Sequence, residues 1–73
     1  MSKLTEEIKK NLKQQLENNK KFQEWNLSEG LRFEDFSIVD FDSYEILEKA
    51  KGNKHFSIYV KDGLIKQVVY DFE

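Results

Sequence analysis

The dipeptide Asp62-Gly63 separates two runs rich in β-branched and aromatic residues, 55–60 and 64–72. A two-residue type I′ loop needs positive φ at both positions, which glycine adopts freely and aspartate tolerates. The pattern predicts a terminal β-hairpin with Lys61 opposite Leu64 and Val60 opposite Ile65. An unbroken ladder then sets Ile58 against Gln67 and Phe56 against Val69. One face of the hairpin carries Phe56, Ile58, Val60, Ile65 and Val69, with Gln67 as its polar exception. The other face, with Tyr59, Lys61, Leu64, Lys66, Val68 and Tyr70, is mixed. A lone hairpin is marginal in water, so the apolar face demands a cover.

The N-terminal third supplies one. Leu4, Ile8, Leu12 and Leu16 recur every four residues, a single stripe along a helix whose other positions hold Glu, Lys and Gln. Ser2 is a candidate N-cap, and Glu6 and Glu7 complement the positive helix start. At about 100° per residue, Phe22 returns to the Leu4 meridian, with Trp25 beside it. A helix over about 3–26 is expected, although Asn18-Asn19 are weak helix formers that can end it early. Gly30 suits the left-handed conformation past a helix end. The constant step of four lacks the three-four alternation of a heptad, so a coiled-coil dimer is disfavoured.

In the middle, Phe36 and Ile38 alternate with Ser37 and Val39, predicting a strand over about 31–39. Leu31 and Phe33 have the opposite parity, which a bulge near Glu34-Asp35 would reconcile. Residues 42–52 admit two readings. As a helix, Asp42 caps, Glu45 closes a capping box and Gly52 terminates. As a strand over about 43–50, a three-residue turn at Lys51-Gly52-Asn53 sets Ile46 opposite Ile58 and Tyr44 opposite Val60. The strand is favoured, because it adds two residues to the apolar face already found. The expected fold is one α+β domain over 1–73: an N-terminal amphipathic helix packed on a 3–4-stranded antiparallel β-meander. The last two strands span about 54–61 and 64–72.

The chain has 73 residues, no Cys, no Pro and one His. Disulfides and a mononuclear zinc site of conventional type are thereby excluded as sources of stability. Aromatic residues make up 14% of the chain, which argues against disorder. A domain of this size is only marginally stable, and self-association is an ordinary remedy. Dimerisation is expected through a sheet edge or the Tyr59/Val68/Tyr70 face. No apolar run approaches the length of a membrane span, and no apolar signal core follows the first residues, so the expected location is the cytoplasm. Lysine outnumbers arginine eleven to one, a bias of AT-rich coding DNA that points to low-GC bacteria, their phages or mobile elements.

Chemistry-bearing motifs are sparse. His55 with Ser57 lacks a third group to make a nucleophilic site. The three glycines are dispersed and form no phosphate-binding loop. Asp40-x-Asp42 opens like a calcium loop, but Tyr44, Glu45 and Lys51 stand where that loop needs an oxygen donor, a glycine and a glutamate. No enzyme activity and no cofactor are expected. The most distinctive stretch is 33–45, where acids interleave with Phe and Tyr. Residues 30–45 carry one Arg against five acids, a net −4, whereas 1–29 and 46–73 are each +1. The expected function is a non-enzymatic interaction or regulatory protein that docks a partner, basic in character, through this acidic aromatic surface. Its candidate residues are Asp35, Asp40, Phe41, Asp42, Tyr44 and Glu45, with Trp25 as a further anchor. The alternatives are nucleic-acid binding through Lys3, Lys9, Lys10, Lys13, Lys20 and Lys21, or a structural homo-oligomer. A pI near 5.4 and the single arginine weigh against nucleic acid.

Overall fold

A computed structural model describes residues 5–72. Two helices, α1 (Glu6–Glu17) and α2 (Lys20–Glu29), pack on one face of an antiparallel sheet. Its strands are β1 (Ser37–Phe41), β2 (Tyr44–Lys51), β3 (Lys54–Lys61) and β4 (Leu64–Phe72), paired in chain order. The α+β class, the helix-then-meander order and the strand at 44–51 agree with the sequence.

The single long helix does not form, because Asn18 and Asn19 divide it. Asn19 adopts an extended backbone, and its Oδ1 accepts from the Phe22 amide at 3.1 Å, which caps α2. Asparagine competes with the helical backbone for its own hydrogen bonds and is stable at such a cap. Thr5 caps α1, accepting from the Ile8 amide at 3.2 Å; Ser2 and Leu4 lie outside the described residues. Gly30, at φ 69°, ends α2, with its amide donating to Asn26 O at 3.1 Å. The break turns Phe22 and Trp25 inward beside Leu12 and Leu16.

The parity conflict after Gly30 is resolved by a 3-10 turn over Phe33–Asp35 rather than by a bulged strand. The Asp35 carboxylate accepts from the Arg32 amide at 2.9 Å and closes that turn. The chain can then bury Leu31 and Phe36 on either side of it.

Three two-residue loops build the meander. Asp42, Gly52 and Asp62 open them with positive φ, 56°, 63° and 55°. Gly63 follows at φ 74°, which completes the expected left-handed pair of the terminal hairpin. The Gly52-Asn53 loop is one residue shorter than the predicted turn. Lys51 therefore faces Lys54, Leu47 faces Ile58, Ile46 faces Tyr59 and Glu45 faces Val60. A one-residue slip exchanges the faces of a whole strand. Leu47 thus enters the core, and Tyr44 and Ile46 point away from the helices. Strand β4 also departs from the expected ladder. A bulge at Lys66 sets Val60 opposite Ile65 but Tyr59 opposite Gln67, so Ile58 meets Val68 and Phe56 meets Tyr70. The extra residue moves Gln67 out and Val68 in. It also removes the predicted Tyr59/Val68/Tyr70 face, because Tyr59 now lies on the opposite side of the sheet from the other two.

The core lies wholly between helices and sheet: Leu12 and Leu16 from α1, Phe22 and Trp25 from α2, Leu47, Phe56, Ile58, Val60 and Val68 from the sheet. Trp25 meets Phe56 edge-on at 4.8 Å between ring centroids, a favoured aromatic geometry. An ionic clamp joins α2 to the β2–β3 hairpin. Lys54 Nζ lies 2.7 Å and Lys51 Nζ 3.4 Å from the Glu29 carboxylate. The Lys54 hydrogen bond, against a smaller opposing effect of burial, holds the Glu29 carboxyl below its ordinary 4.5.

A depressed carboxylate pKa stabilises the fold above the unfolded value, and that contribution disappears as pH falls through the folded value. Urea titrations should therefore show a difference between the parent chain and Glu29→Gln that is constant above about pH 5 and fades below about pH 4.5. Because the pair is partly solvated, added salt should shrink it. Deleting Lys66 restores a regular ladder with all downstream partners unchanged. Thermal melts should place that variant within about 1 kcal/mol of the parent, ~4–8 °C. Deleting Val69, which sends Tyr70 to the wrong face, should abolish the cooperative transition.

Candidate protein-interaction surface

Among the described residues, no element covers the sheet face opposite the helices. Across it run two largely aromatic and aliphatic rows, Phe41–Tyr44–Lys61–Leu64 and Val39–Ile46–Tyr59–Gln67, each with one polar residue, as the strand register dictates. Ile46 is only 9% exposed although its strand parity turns it away from the helices, and it stands outside the main core cluster. Its neighbours on the same face enclose it. They are themselves open: Phe41 is 64% and Val39 41% exposed. Phe41, Tyr44, Tyr59, Lys66 and Gln67 border a shallow hollow beside it. The Lys61 ammonium lies 5.4 Å from the Tyr44 ring centroid, within reach of a cation–π attraction.

The predicted site residues divide between this face and other places. Phe41 and Tyr44 flank the Asp42-Ser43 loop directly opposite each other, and both belong to the open face. Asp42 sits in that loop, exposed. Asp40 is exposed on the edge strand, with the parity of the helix side. Glu45 shares that parity and is 4% exposed between Asp40 and Val60, the one buried charged residue among those described. It is not available to a docking partner. Asp35 serves the 3-10 turn through the Arg32 amide. Trp25, 7% exposed, is a core residue. The acidic stretch is thus not one surface: only Phe41, Asp42 and Tyr44, with Asp40 at the rim, come together.

The sequence places Tyr59, Lys61 and Leu64 together on the face of the hairpin away from the core, and the register keeps them there. Ile46 was missed as part of this face, because its side of β2 depends on a loop one residue shorter than the expected turn. A second concavity was also missed. Between α1, α2 and the 3-10 turn, Phe22, Leu27 and Phe33 line a cleft, and Leu27 is 86% exposed. Its charged rim is internally matched, with Lys13 Nζ 2.7 Å from Glu34 Oε1. That hydrogen bond raises the Lys13 pKa and lowers that of Glu34. Among the described residues, no three His, Asp or Glu side chains are grouped to hold a metal ion. No described helix is long and apolar enough to cross a membrane. No family model, curated protein or solved structure matches the chain.

Trp25 and Phe41, two of the three aromatic candidates, should respond oppositely to removal. Trp25→Ala should cost about 3–5 kcal/mol, as for large core aromatics. Phe41→Ser should stay within about 0.5 kcal/mol, as for surface positions. Urea unfolding of both variants distinguishes a core residue from a displayed one.

Proposed function

We propose that this protein is a non-enzymatic protein-interaction module that binds through the open sheet face, with Phe41 and Tyr44 as anchors. The observation that supports this reading is the exposure of Phe41 beside Tyr44 and the enclosed Ile46, on a face that no described element covers. Aromatic side chains at the centre of a patch, with charge at its rim, are the usual arrangement of binding energy in protein interfaces. Asp40 and Asp42 lie at the β1–β2 end, where they favour a partner with basic groups flanking an apolar side chain. Such rim charges act mainly on encounter rate.

The nucleic-acid alternative finds less support. Lys9 and Lys13 pair with Glu6 and Glu34, and Lys21 donates to the Val68 carbonyl at 3.3 Å. Much of the basic side of the helices is therefore engaged within the chain. The lysine-rich composition supports, as part of the same proposal, an origin in a low-GC bacterium or a phage or mobile element of such a host, with the cytoplasm as its location.

Capture of partners from a host lysate by the parent chain and by Phe41→Ser/Tyr44→Ser tests the reading. The double variant should keep a cooperative melt and lose the specific partner, whereas Asp40→Asn should lower the association rate and its salt dependence. Retention of every partner by the folded double variant would contradict it.

A further inference from the structure

We infer that the open sheet face pairs with the same face of a second copy of this chain, forming a two-layer sheet sandwich with the helices outside. This rests on the open face being the binding surface and names its occupant. The face is divided along its width. The β1–β2 half presents Val39, Phe41, Tyr44 and Ile46, with Glu48 as its charged residue. The β3–β4 half presents the two cations Lys61 and Lys66 beside Tyr59, with Asp71 at the far end. A twofold axis parallel to the strands lays each half on the other. The register then brings Phe41 over the partner's Leu64, Ile46 over the partner's Tyr59, and Tyr44 over the partner's Lys61. Aromatic rings thus meet lysines, and within the face no like charges lie directly opposite. The loop acids Asp42 and Asp62 remain at the rim, where solvent screens them. A perpendicular axis would instead set Ile46 against Glu48 and leave Phe41 without a partner.

Edge-to-edge pairing, the other common route to a sheet dimer, is obstructed. Gln15 occupies the β4 edge, donating to Gly63 O at 3.0 Å and accepting from the Ile65 amide at 3.1 Å. Lys21 takes the Val68 carbonyl, and the bulge at Lys66 interrupts the ladder between them. The opposite edge, β1, has five residues, including the exposed Asp40. Bulges, edge charges and short edge strands are recognised protections of this kind.

The size of the face sets the strength. Strands about 4.8 Å apart and about eight residues of 3.3 Å rise span roughly 500 Å² per copy. Two copies bury roughly 1,000 Å², the lower bound for a specific interface. The dimer is therefore weak and concentration-dependent, with a midpoint on the order of tens of micromolar.

Sedimentation equilibrium of the full chain between about 1 μM and 1 mM tests the inference, since the range brackets that midpoint. The parent should pass from monomer to dimer. Phe41→Ser and Lys61→Glu/Lys66→Glu should each move the midpoint at least about tenfold upward, while Leu27→Ser, in the helix cleft, leaves it unchanged. In a mixed isotope-labelled sample, intermolecular contacts should join Ile46 to Tyr59. A strict monomer to 1 mM, higher oligomers, or a dimer broken by Leu27→Ser but not by Phe41→Ser would overturn the inference. If the parent is a strict monomer yet Phe41→Ser/Tyr44→Ser loses a lysate partner, only the identity of the occupant fails. If neither effect occurs, the binding-surface reading fails with it.

Discussion

The two-residue loop at Gly52-Asn53 decides what each face of this molecule is. A strand alternates its side chains, so the number of residues in the loop determines which set of β2 looks toward the helices. With two, Leu47 joins Ile58 beneath α1 and α2, and Tyr44 and Ile46 are displayed on the other side. With three, Ile46 and Tyr44 would be buried and Leu47 displayed. Gly52 adopts φ 63° at the first loop position, where a side chain would be strained. The open aromatic face is a consequence of that choice and of the helical layer lying on one side only.

The rest of the chain stabilises the one-sided arrangement at modest cost. Asn18-Asn19 divide the helical segment, so that both pieces contribute to one core rather than one long helix overhanging it. The Glu29 clamp ties the end of α2 to the β2–β3 hairpin. Gln15 and Lys21 satisfy backbone groups on the β4 edge that would otherwise template strand addition. What remains exposed is the broad face and a short β1 edge that carries Asp40, and this directs association toward face-to-face contact.

The legible parts of the fold were those with strong local signals. Asp62-Gly63, the Leu12–Leu16 stripe and Gly30 each specify backbone geometry from a few neighbouring residues. The bulge at Lys66 was not legible in the same way. Ile65 has one parity and Val68 the other, and Val69 and Tyr70 continue without alternation, so the segment is compatible with two ladders. Burial of Val68 against Ile58, a tertiary effect, selects between them. The same limit applied to the site. Phe41 and Tyr44 stood out as aromatics among acids, and both are displayed. Glu45 and Trp25 looked equivalent in composition, but strand parity and helix packing bury them.

Cross-strand nuclear Overhauser contacts between β2 and β3 test the central claim most directly, because they report the register itself. The structure predicts contacts pairing Ile46 with Tyr59 and Leu47 with Ile58, and contacts from the Leu47 methyls into the buried cluster. Contacts pairing Ile46 with Ile58 and Tyr44 with Val60 would contradict it, since they would place the aromatic face beneath the helices.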